Sequence, residues 1–201
     1  MESGAPWIVA VGASGREGLD DLKDLLFGFP TSLPAVVMLV LHRPWERPSY
    51  LKSVLEQTSP LPLVIAADGE RLELGTAYIG SPAEHLTLAA NTFGKLLDDP
   101  DRLFRNRTVD LLFKSVAIHA GPKTIGVVLS GSLDDGSRGL AMINHAGGLT
   151  MVMTPETHRR SPGMPENAID YDGPVDVIGN ASQIAAAIKH ACLGHVAPPP
   201  H

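Results

Sequence analysis

The chain has 201 residues, 44% of them hydrophobic and 19% charged, a balance that supports a folded domain with a sizeable core and excludes a disordered segment. A formal net charge of −6, with no lysine- or arginine-rich run, argues against a nucleic-acid partner. Apolar runs such as 35–41 are too short to span a bilayer, no basic region with a long apolar stretch opens the chain, and the single cysteine, Cys192, excludes an internal disulfide. The expectation is therefore a cytoplasmic protein without membrane insertion, with Cys192 as a buried structural thiol.

In chain order, WIVAV (7–11) reads as a buried strand, followed by the glycine-rich corner GASGREG and a helical pattern over 19–29. AVVMLVL (35–41) is a second strand and ends in Leu-His42-Arg43-Pro; a helical pattern covers 48–58, and PLVIAA (62–67) is a third strand. The stretch 75–98 alternates and is broken by Gly, Pro and Asn, so it reads as a small antiparallel excursion. A helix over 108–120 precedes the strand TIGVVLS (124–130), which hands over to Gly-Ser-Leu-Asp-Asp135-Gly. A helix over 135–146, a strand over 148–154 and a helix over 180–193 with Asn180 as N-cap complete the pattern. Strand–helix alternation predicts an α/β fold: a doubly wound, mostly parallel sheet with helices on both faces and a small antiparallel hairpin excursion. No repeat or interior linker interrupts it, so 1–194 is expected to form a single domain, with 195–201 as a disordered tail.

In such a sheet chemistry collects at the C-terminal ends of the strands. Three of those ends deliver Ser14, His42 and Asp135, the inventory for nucleophilic acyl transfer: an attacking hydroxyl, an imidazole base and an orienting carboxylate. Two plainer readings compete. Gly12, Gly15 and Gly18 could cradle a dinucleotide phosphate at a helix N-terminus, but that site also wants an acid closing the second strand, where His42-Arg43-Pro44 stands. Asp134 and Asp135 taken alone read as caps of the helix beginning near 135. Taken with Ser14 and His42, Asp135 reads as catalytic.

VGAS (11–14), LHRP (41–44), YIGSPAEHLTL (78–88), TVDLLFKSVA (108–117), IGVVLSGSLDDGSRGLAMINHAGG (125–148) and SPGMPENAI (161–169) resemble the catalytic domain of the chemotaxis protein-glutamate methylesterases, in order and spacing, from about Trp7 to Ile188. The resemblance implies a parallel α/β sheet with a Ser/His/Asp triad that hydrolyses glutamate γ-methyl esters on chemoreceptor helices, some members also deamidating glutamine. Carried over by position, the triad is Ser14, His42 and Asp135, and the N–H of Ser132 is the oxyanion donor. Neither a metal nor an organic cofactor is implied, and the histidines show no metal-ligand spacing. The implied partner is a methylated chemoreceptor or similar signalling protein.

The chain departs from the family pattern at three places. After Ser14 the corner runs Gly15-Arg16-Glu17-Gly18, where a small residue and two glycines are usual, so Gly15 and its neighbours bear on how substrate enters. Leu133 stands where the loop usually has glycine, beside the expected oxyanion donor. The receiver domain of typical members is missing ahead of the first strand, which leads us to expect a stand-alone member with a separate receiver protein as candidate regulator. A binding or scaffold protein on the same fold is the alternative that the altered corner and Leu133 keep open. Further candidates are Glu84 and His85 on the excursion, as cleft rim or plain hairpin surface, and Arg105 and Arg107, as contacts to acidic helices or a solvated loop before an N-cap at Thr108. Met164 is near the cleft by resemblance and a core methionine by type, while His119, His145 and His158 are assigned to surface or packing.

Overall fold

Each apolar run becomes a strand because burial on both faces suits Val- and Ile-rich segments, and each amphipathic run lays one stripe on the sheet. The computed structural model describes residues 5–43, 49–156 and 161–194. Its elements are β1 (Trp7–Ser14), α1 (Gly15–Phe27), β2 (Ala35–His42), α2 (Leu51–Leu55), β3 (Leu63–Ile65), β4 (Thr76–Ile79), β5 (Glu84–Ala89), β6 (Phe93–Asp98), α3 (Thr108–Ala120), β7 (Thr124–Val128), α4 (Ser137–His145), β8 (Leu149–Met153), α5 (Met164–Tyr171), β9 (Val177–Gly179) and α6 (Ala181–Leu193). Seven strands pair in parallel in the order β3-β4-β2-β1-β7-β8-β9, while β5 and β6 form a separate antiparallel hairpin. The doubly wound, mostly parallel architecture is thus the one expected.

The period of two along a strand divides the interior into two cores. Val9, Val11 and Ala13 of β1 face α1 and α6, with Leu22, Leu25, Leu26, Ile184 and Ile188 buried against them. Ile8 and Ala10 face the opposite side, where Val109, Leu112, Phe113 and Val116 of α3 and Leu140 and Ile143 of α4 are buried. The hairpin lies over α3, tied to it by the Leu88 N–H donating to Ser115 Oγ at 2.8 Å.

Several boundaries differ from expectation. The stretch 75–98 is only partly antiparallel: β4 joins the main sheet between β3 and β2, because 76–79 is buried on both faces. The helical pattern at 48–58 yields helix only over Leu51–Leu55. Helix α1 starts directly at Gly15, and α4 starts at Ser137, leaving Asp135 outside it. The short strand β9 and helix α5 carry too little periodicity to be read from sequence. The Asn180 cap is present: its side chain accepts the Gln183 N–H at 3.0 Å, and Gln183 Oε1 accepts the Asn180 N–H at 2.9 Å. The tail at 195–201 and His158 lie outside the described residues.

Candidate active site

Ser14 and His42 end neighbouring strands in matched register, Ser14 opposite His42. Adjacent parallel strands lie about 4.8 Å apart and side chains alternate, so registered partners emerge on one face. Counting back from Ser14 through Ala10 and Ile8, and from His42 through Val40, Met38 and Val36, that face is the one covered by α3 and α4. Asp135 comes from the same side. It lies between β7 and α4, is 2% exposed, and its Oδ2 meets His42 Nε2 at 2.6 Å.

Asp135 does not cap the helix that follows it. Its carboxylate accepts the N–H groups of Val109 (2.9 Å) and Asp110 (2.9 Å), the first turn of α3. Asp110 answers across the gap, its Oδ1 accepting the Gly136 N–H at 3.0 Å and the Gly139 N–H at 2.8 Å at the start of α4. Burial pushes the Asp110 carboxyl above its ordinary pKa against the pull of the Gly139 N–H, and neighbouring Asp135 adds to the rise. Arg107 donates to Asp134 (3.2 Å) and Asp110 (3.4 Å) and is the N-cap residue of α3, so it does not serve the cleft as an acid-seeking arm.

The three corner glycines have packing and backbone roles. A Cβ on Gly12 would collide with the side chain of Val109, and one on Gly18 with the Ser130 carbonyl. Gly15 has φ +72°, which turns the chain from strand into helix immediately after Ser14. The Ser14 N–H donates to Ser130 O at 3.0 Å, and the Ser130 N–H donates to Asp21 Oδ2 at 3.0 Å, clamping the ends of β1 and β7 together through α1. Gly131 presses on this corner: a Cβ there would fall 2.7 Å from Ser14 Cβ and would clash with the Met164 sulfur. Met164 is fully buried and belongs to the core. Ser132 bridges Gly163, and its own N–H makes no hydrogen bond among the described residues. The Ser14 hydroxyl likewise makes none among the described residues, although catalytic contacts commonly tighten only once substrate is bound.

A cleft of about 940 Å³ opens over this corner, lined by Ser14, Gly15, His42, Arg43, His85 and Arg105 among others. Asp135 lies behind His42, and Ser132 and Met164 are outside the lining. His85 is held at both nitrogens, Nδ1 to Thr108 Oγ1 at 2.9 Å and Nε2 to Asp99 Oδ2 at 3.2 Å, so it braces the cleft wall. Glu84 accepts the Ser81 hydroxyl within the turn that leads from β4 into β5. Arg43 was not singled out for the site, yet its Nη2 donates to Gly80 O at 2.6 Å and it lines the cleft beside His42. Its position directly after His42 was the available signal; Asp110 gave one only through its place in TVDLLFKSVA, while Asp21 and Asp99 gave none. Cys192 is half-buried and its thiol is pushed up to about 12 by burial, which removes it as a thiolate nucleophile. Among the described residues no three His, Cys, Asp or Glu side chains gather where they could hold a metal ion.

The sequence matches the family described as CheB methylesterase over residues 9–188, a span that includes Ser14, His42 and Asp135. The chain belongs to the CheB methylesterase family. A protein-glutamate methylesterase/protein-glutamine glutaminase of Pectobacterium atrosepticum is 35% identical over 184 residues, covering 89% of this chain and 51% of that relative. The protein of the same name in Salmonella typhimurium gives the same figures, and that of Yersinia pestis is 34% identical over 177 residues, 85% of this chain and 49% of the relative. The chain thus spans about half the length of the curated relatives it matches. The crystal structure of the Thermotoga maritima CheB methylesterase catalytic domain matches with a TM-score of 0.80 at 28% identity, covering 93% of this chain and 99% of that one. CheB methylesterase membership and the sheet order therefore agree on the fold.

Proposed function

We propose that this chain hydrolyses γ-methyl esters of glutamate on a methylated chemoreceptor or similar signalling protein, with Ser14 as nucleophile, His42 as base and Asp135 as the group that orients His42. The observation that carries this reading is the 2.6 Å contact of His42 Nε2 with Asp135 Oδ2, one strand over from Ser14 at the wall of the cleft. With Nε2 engaged by Asp135, Nδ1 is the nitrogen left for the Ser14 proton, the reverse of the trypsin-like assignment. Ser14 Oγ attacks the ester carbonyl as His42 takes its proton, and the Ser132 N–H faces the developing oxyanion, a donor worth about 2.7–4 kcal/mol. The tetrahedral intermediate collapses, His42 gives its proton to the departing methoxide, and methanol leaves an acyl-enzyme on Ser14. Water activated by His42 then releases the glutamate γ-carboxylate and frees Ser14. A γ-amide follows the same course with ammonia leaving, which extends the reading to glutamine deamidation.

The reading places the protein in the cytoplasm, with the matched span as one catalytic domain and a receiver protein as candidate regulator. Among the described residues no helix is long and apolar enough to cross a membrane. Methanol release from a methylated receptor tests the activity. Native protein is expected to turn over, and Ser14→Ala to lose about 10⁴-fold or more in kcat. A binding-only protein would instead release no methanol and leave Ser14 unlabelled by a fluorophosphonate; equal turnover by Ser14→Ala would move the nucleophile elsewhere.

A further inference from the structure

Whatever fixes the first turn of α3 also fixes Asp135. Asp135 Oδ2 accepts the Val109 N–H at 2.9 Å and meets His42 Nε2 at 2.6 Å, while Oδ1 accepts the Asp110 N–H at 2.9 Å. A small displacement of those two N–H groups therefore moves the acceptor that orients His42. The first N–H groups of a helix have no partner inside it, and the side chain of Arg107, at the N-cap position, supplies none. The turn is held instead from β5, at two points. Leu88 N–H donates to Ser115 Oγ at 2.8 Å, and His85 Nδ1 meets Thr108 Oγ1 at 2.9 Å. Residues 85 to 88 of a strand and 108 to 115 of a helix both span about 10 Å, so the two ties fall in step along the packed elements. The Ser115 tie holds the body of α3, where Val109, Leu112, Phe113 and Val116 are already buried. The His85 tie acts on the turn that carries the Asp135 donors.

The His85 ring is itself fixed. Its Nε2 meets Asp99 Oδ2 at 3.2 Å, and the Phe104 ring stands edge-on to it at 6.4 Å and 88°. Asp99 is anchored by the Leu103 N–H on Oδ1 and the Phe104 N–H on Oδ2, both at 2.8 Å. Burial raises the Asp99 carboxyl, but the Phe104 N–H, His85 and the Leu103 N–H together pull it below its ordinary pKa, so it is ionised near neutral pH. An ionised carboxylate only accepts, so Nε2 carries the proton, which in the neutral ring leaves Nδ1 to accept the Thr108 hydroxyl. Given the triad reading on which it rests, we infer that His85 is a positioning residue for the reaction: the line Asp99–His85–Thr108 sets the first turn of α3, and through Asp135 the angle at which His42 faces Ser14. Both ring nitrogens are engaged in that line, so His85 reaches the chemistry through α3 although its ring lines the cleft.

The test compares His85→Ala and the near-isosteric Thr108→Val with Thr108→Ser, which keeps the hydroxyl, all in the full chain. Fluorophosphonate labelling of Ser14, followed up to saturation, separates reversible binding of the probe from the bond-forming step. His85→Ala and Thr108→Val are each expected to slow the maximal labelling rate of the folded protein about ten- to a hundredfold. The half-saturating probe concentration should stay native, and Thr108→Ser should label at the native rate. The double variant should fall no further than the slower single variant, because the two residues act along one line. The His42 ring N–H that bonds Asp135, followed by proton NMR and assigned by its loss in His42→Gln, is expected to shift in His85→Ala and Thr108→Val. A raised half-saturating concentration at a native maximal rate would make His85 a substrate contact. A lowered Tm with a native rate in the folded fraction would make it a structural brace. Either result overturns the positioning role, and so does an unmoved His42 signal. A native protein whose Ser14 does not label, while its His42 signal still moves with Thr108→Val, would leave the positioning line standing and remove the ester-hydrolase reading.

Discussion

Leu133 shows how one residue can depart from a pattern and keep its geometry. Its φ is +71°, a conformation glycine adopts freely and an L-residue holds at a cost of roughly 1–2 kcal/mol. The loop holds that conformation with help from Asn167, whose Nδ2 donates to Leu133 O at 2.8 Å. The leucine side chain, 61% exposed, points into solvent at no one's expense. Leu133→Gly is expected to relieve that strain, less the roughly 0.5–1 kcal/mol of chain entropy that glycine adds to the unfolded state. Thermal denaturation should show a Tm that is unchanged or raised by a net gain of at most about 1 kcal/mol, with ester turnover retained. Gly131 behaves oppositely: Gly131→Ala drives a methyl group into Met164 and Ser14. It should destabilise by about 1–3 kcal/mol, and Ser14 labelling by fluorophosphonate should slow sharply. Ser14 and His42 stand out as candidates in the sequence because each follows a strongly apolar strand. Leu133 could be flagged, but the sign of its effect needed its φ.

Helices α3 and α4 start by capping one another, Asp135 serving α3 and Asp110 serving α4. Two helix N-termini thus converge on two carboxylates at the place where Asp135 meets His42. Asp110→Ala strands two N–H groups of α4 and is expected to cost about 1–2 kcal/mol, with kcat falling in the protein that remains folded. Asp110→Asn keeps an oxygen for both N–H groups and should retain most activity. The pH dependence separates the two roles of this carboxyl. Its folded pKa is raised, so its contribution to stability is full below the ordinary carboxylate value of about 3.9 and is lost as pH rises through the folded value. In denaturant unfolding, the stability of Asp110→Asn relative to the native chain should therefore rise from acid to neutral pH. The element-level pattern hid this exchange: an Asp just before a helix is normally its own cap, and only the packing of α3 on α4 re-aims Asp135.

For the whole molecule, the strand order decides what meets. Chain β1 is central, with β2 on one side and β7 on the other, so three parallel strands end at one edge and a cleft opens there. The two cores on either side of the sheet have separate tasks. Leu25 of α1 is fully buried on the face away from the site. Leu25→Ala is expected to cost about 2–5 kcal/mol by calorimetry, while the kcat of the folded fraction stays native. By itself the sequence determined the fold class and the main strands and put forward Ser14, His42 and Asp135 as candidates, because local periodicity and turn chemistry act over a few residues and are written in consecutive letters. It misplaced β4 and left out β9 and α5, because four-, three- and eight-residue elements carry too little periodicity and take their state from their neighbours in the sheet. Only the tertiary structure decided that Arg107 turns to Asp110 and Asp134, that His85 braces a wall, and that Asp135 caps a helix 25 residues before it. Each is a contact between segments distant along the chain, and the side chains that satisfy a buried carboxylate or imidazole are fixed by packing.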